Sequence, residues 1–124
     1  MRLALFAALM LVSTNVLASE CRVSDFEIES LRPTADNPCR QSPCPVVRLP
    51  AEVRSNCAFP AGVMVKITAR DSTGAVLATA EGWPAGTRNI PAGETYAFDF
   101  GSQFTYSNAI DRFEANVVDV RTWR

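Results

Sequence analysis

Histidine is absent from the chain. With it go the commonest general base, the commonest metal ligand and the usual partner of a nucleophile. A Ser-His-Asp or Cys-His site cannot be assembled from these 124 residues. A Cys-x-x-Cys pair is missing too, which argues against a thiol–disulfide oxidoreductase. No block of like charge occurs, so there is no electrostatic footprint for nucleic acid and no polybasic patch for anionic lipid. No Asn is followed two positions on by Ser or Thr. After the first residues no apolar run approaches membrane-spanning length, and there are no repeats or low-complexity tracts.

What is present begins at the N-terminus. Met1-Arg2 is a short positive start, Leu3 to Val12 is apolar, and Val16-Leu17-Ala18 is a small-residue cleavage pattern followed by Ser19. This predicts a signal peptide over residues 1–18 and an exported chain, periplasmic or secreted. Cys21 follows Ala18-Ser19-Glu20, and a glutamate directly before the cysteine argues against a lipid-modified cysteine. Cleavage leaves 106 residues, enough for one domain, 19–124. That mature chain carries 11 basic and 13 acidic side chains, a net −2 with the signs interspersed.

Four cysteines, Cys21, Cys39, Cys44 and Cys57, lie in the front of the mature chain. In an oxidising compartment an even count predicts two disulfides, with three possible connectivities. If the segments from Cys21 and up to Cys57 pair antiparallel, Cys21–Cys57 is favoured, and Cys39–Cys44 closes a small loop. A Cys₄ zinc site is disfavoured, because one close pair is joined by two distant single residues.

The dominant period is two, not 3.6. Val23, Phe26 and Ile28 mark a first strand over 22–29, and the turn-rich residues 30–45 predict a loop. Residues 46–57 predict a second strand with Val47, Leu49, Ala51 and Val53 on one face. Pro50 within it points to an edge or a bulge. Val63, Val65, Ile67 and Ala69 alternate into the turn Asp71-Ser72-Thr73-Gly74, and Ala75 to Ala80 returns as the hairpin partner. Thr95 to Phe100 and Arg112 to Thr122 complete the set, with a phase slip at Val117-Val118 that predicts a bulge. Six or seven short strands with regular turns predict an all-β sandwich, stapled at its N-terminal end.

From Ala51 to Phe100 the order of signals resembles the FxLYD-type modules of exported bacterial and archaeal proteins. The matching features are the turn Val53-Arg54-Ser55-Asn56, the strand Val63 to Ala69, the Asp71–Gly74 hairpin turn, Ile90-Pro91-Ala92-Gly93-Glu94, and Phe98. They span about half of the mature chain, and the cysteine-bearing front lies outside them. The resemblance implies a small immunoglobulin-like sandwich with an accessory role and no catalytic residues.

No catalytic, cofactor-binding or metal-binding residue is predicted. Asp71-Ser72-Thr73-Gly74 reads as a turn rather than an aspartic-protease loop. Glu27 and Glu29 bracket Ile28 and read as a solvated strand face rather than an acid–base pair. Trp83, Phe104 and Tyr106 fall in turns or loops, where aromatics anchor partners or fold back as lids. With Arg88 and Arg112 beside them, these five are the candidate partner-contact residues. Trp123 is expected to cap the last strand. The function expected from these features is that of an exported, non-catalytic binding or accessory module contacting an envelope protein. The alternative is a secreted inhibitor or immunity-type protein that blocks a hydrolase with the Cys39–Cys44 loop or the loop around Phe104.

Overall fold

Alternation of apolar and polar side chains turns one face of each long strand inward, and two such faces bury each other. The computed structural model describes residues 20–39 and 41–124; the expected signal peptide, 1–18, lies outside them. The strands are β1 (Phe26–Leu31), β2 (Thr34–Asp36), β3 (Val46–Arg48), β4 (Pro50–Ser55), β5 (Gly62–Arg70), β6 (Val76–Gly82), β7 (Thr95–Asp99) and β8 (Arg112–Arg121). Short 3₁₀ turns at Val23–Asp25 and Gly101–Gln103 are the only helical segments among the described residues. Three sheets form, in the orders β1-β4-β7, β2-β3 and β6-β5-β8. The protein is thus all-β and sandwich-like, as its periodicity predicts.

Two central strands carry the core. Ala51, Val53 and Ser55 of β4 are buried, as are Val63, Val65, Ile67 and Ala69 of β5. Phe26, Val47, Leu49, Ile90, Phe100 and Phe104 pack into the same cluster.

β1 through β4 form one long antiparallel hairpin. Leu31 pairs with Ala51, Thr34 with Arg48 and Asp36 with Val46, all in a single register. Two staples bracket it: Cys21–Cys57 at the base and Cys39–Cys44 at the tip. Both pairings are those favoured by the antiparallel reading. The expected loop over 30–45 therefore needs correction, because β2 occupies its middle.

Pro50 also departs from expectation: it opens a central strand, not an edge. It remains compatible because its carbonyl accepts the Arg32 N–H at 3.0 Å, so its ring nitrogen faces β1. There the ladder is broken, between β1 and β2. The break at Leu49 is bridged by its N–H donating to Asp99 Oδ1 at 2.9 Å. Splitting one expected strand at Leu49 and adding β2 raises the count to eight.

In the second sheet β5 pairs with both β6 and β8. The turn joining β5 to β6 is Asp71–Gly74, with Gly74 at a φ of +87° that favours glycine. Asp71 Oδ1 accepts from Thr73 N–H, Thr73 O–H and Ala75 N–H. The slip foreseen at Val117-Val118 is present: Met64 pairs with Asp119 and Val65 with Val117, leaving Val118 unpaired.

Candidate functional site

A groove of about 200 Å³ lies where the stapled hairpin meets the start of β8. Pro33, Thr34 and Ala35 form one side, and Tyr106, Ile110 and Asp111 the other. Val47 and Phe113 are its more buried members, while Tyr106 is 41% exposed. Arg112 completes the lining.

Local bonds position each part. Asp111 N–H donates to the Arg70 carbonyl at 2.8 Å, fixing where β8 begins. Arg112 pairs with Arg70 across the sheet, and two like charges side by side need a counter-ion. Glu114 supplies it, accepting from Arg70 Nε at 3.0 Å and from Arg112 Nε at 3.3 Å. The Arg70 hydrogen bond, followed by that of Arg112, holds the Glu114 carboxyl below its ordinary value. The groove thus presents apolar and aromatic surface with a guanidinium held at its margin, a combination suited to docking a peptide or protein segment.

Tyr106 and Arg112 are the two expected contact residues that the structure brings together. Trp83 and Arg88 fall at the far end of β5. Trp83 packs edge-on against Trp123, with centroids 5.6 Å apart. The Arg88 carbonyl lies beside Gly62, where a Cβ would come within 3.2 Å of it. Trp123 is held there as the expected cap: its N–H donates to Asn89 Oδ1 and its carbonyl accepts from Asn89 Nδ2, each at 2.8 Å. Arg121 lies over the Trp123 ring at 5.0 Å. β5 spans nine residues, so the two sites stand roughly 25 Å apart.

Phe104 must be withdrawn as a contact residue. It is only 8% exposed and meets Phe113 edge-on at 5.3 Å, because the turn Gly101–Gln103 swings it into the core. The same burial removes Phe104 itself as the tip of a hydrolase plug, while Thr105 to Ala109 of that loop stay exposed. Pro33, Thr34, Ala35 and Ile110 were not anticipated as site residues. Only the placement of the hairpin tip beside β8 makes them a wall, and no local pattern encodes that.

Among the described residues no group of three or more His, Cys, Asp or Glu side chains is placed to hold a metal ion. Nor, among them, is any helix long and apolar enough to cross a membrane. Comparison with protein-family models, with curated proteins and with solved structures yields no match.

Proposed function

We propose that the chain is an exported, non-catalytic accessory module of immunoglobulin-like type that docks an envelope protein through the groove between the hairpin and β8. The observation that carries this reading is the groove itself. It sets an exposed aromatic, Tyr106, beside apolar Ala35 and Ile110 and next to a guanidinium clamped by Glu114. The signal-like N-terminus and two disulfides support an oxidising destination. Aromatic and Arg side chains are the usual anchors of protein interfaces. Immobilised mature protein is expected to retain a discrete protein from envelope extract. Tyr106→Ala is expected to weaken retention by about tenfold, the scale of one anchor residue. Equal retention by the variant, or repeated failure to retain anything, contradicts the reading.

One feature favours an inhibitor as a second reading. The loop closed by Cys39–Cys44 exposes its described residues Gln41, Ser42 and Pro43, and Asn37 and Pro38 just before it are exposed too. It is further held by Asn37 Oδ1 accepting the Cys44 N–H at 2.9 Å. Inhibition in a panel of lysozymes and proteases, lost in the Cys39→Ser/Cys44→Ser variant, would select that reading over the first.

A further inference from the structure

Strand edges are open templates, and proteins blunt them with bulges that break the regular spacing of backbone donors. Three of the four outer strands of the two larger sheets are blunted in this way. Glu29 has no cross-strand partner in β1, Leu77 none in β6 and Val118 none in β8. β7 differs: all five of its residues pair with β4 in one unbroken register. Its other side has no neighbouring strand in the sheet.

The Ser55 N–H donates to the Glu94 carbonyl at 2.9 Å, in continuation of the same register. Antiparallel ladders alternate, so Glu94, Tyr96 and Phe98 direct their backbone groups toward β4. Thr95, Ala97 and Asp99 direct theirs away from the sheet. Five regular residues thus offer three donor–acceptor sets on the outer edge.

We propose that β7 pairs antiparallel with β7 of a second copy, about a two-fold axis at Ala97, joining two β1-β4-β7 sheets into one. The sequence Thr95-Tyr96-Ala97-Phe98-Asp99 is complementary to itself in that register. Ala97 meets Ala97, Thr95 meets Asp99, and all three outward sets are used, giving about six backbone hydrogen bonds. Tyr96 faces Phe98 of the second copy on the core side, where both rings are now only half-buried. Asp99 faces a hydroxyl and not another carboxylate. A register about Asp99 would oppose two carboxylates, and one about Thr95 would run Ala97 into the turn at Gly93, whose φ is +75°. The edge shares no residue with the groove near Tyr106, so the pairing does not depend on the function proposed above.

Sedimentation of the mature protein over a concentration series tests the pairing, together with amide exchange of the β7 residues. A dimer is expected, with protection at Thr95, Ala97 and Asp99 rising with concentration. Ala97→Pro removes an N–H that β4 does not use, and is expected to leave a folded monomer. Thr95→Asp opposes two acids and is expected to weaken the dimer by about tenfold, while Thr95→Lys strengthens it. The Thr95 pair decides the matter if Ala97→Pro fails to fold. A wild-type protein monomeric to millimolar concentration overturns the proposal, as does a dimer indifferent to the Thr95 charge. Protection of the three amides only on adding an envelope protein would assign the edge to a foreign strand and overturn the second copy as its occupant.

Discussion

Single atoms decide several features of this molecule. Gly101 sits so close to β3 that a Cβ would fall inside the Val47 carbonyl and 2.9 Å from Arg48 Cα. The three nearest atoms are all backbone of β3, so no flexible side chain is there to yield. Gly101→Ala is therefore expected to lower the unfolding free energy by about 2–3 kcal/mol in a urea titration. Unchanged stability would show that the Gly101–Gln103 turn is free to move. Asp71 acts through charge as well as shape. The Thr73 hydroxyl above all, with the Ala75 and Thr73 backbone N–H groups, holds its carboxyl below the ordinary value of 3.8. Glu114 is held below 4.5 by Arg70 and Arg112. The folded form therefore binds fewer protons than the unfolded one in this range. The stability these carboxyls add is fully present above their unfolded values and is lost as pH falls through the folded ones. Asp71→Asn is expected to flatten the fall in melting temperature on acidification below about pH 4 and to leave the slope between pH 6 and 8 unchanged. An unaltered acid limb would contradict that role.

The stapled hairpin is the element that organises the rest. Cys21–Cys57 spans 36 residues and Cys39–Cys44 only 5. Loop-closure entropy then ranks them, at roughly 4 kcal/mol against roughly 2. Replacing the first pair with alanines is expected to cost the larger amount in denaturant unfolding, and replacing the second to leave the β1–β4 ladder intact. A reversed order would contradict the ranking. Strand signals were legible where a long strand has one buried face, as in Val63 to Ala69. The turn at Asp71–Gly74 was legible because its side-chain chemistry is local. β2 was not, since Thr34, Ala35 and Asp36 are all exposed and show no alternation. It forms because the register of β1 and β4 carries through the break at Arg32-Pro33. Pro50 misled for a related reason: its missing donor faces an interruption that lies in another part of the chain.

At the scale of the whole molecule, the two sheets bury one core, and the hairpin tip reaches beside the start of β8 to make the groove. Tyr106 and Arg112 could be picked out as residues, but their convergence with Pro33 and Ala35 is a tertiary fact. Phe104 shows the converse, a loop aromatic drawn inward by a single 3₁₀ turn. One wall of the groove and the β4 neighbour of the proposed outer edge both belong to the first hairpin, which the two disulfides close at its base and its tip. Non-reducing peptide mapping of the native protein tests this most directly. Two cross-linked species are expected, joining Cys21 to Cys57 and Cys39 to Cys44, with no free thiol. Four free thiols, or a peptide joining Cys21 to Cys39 or Cys44, would contradict it.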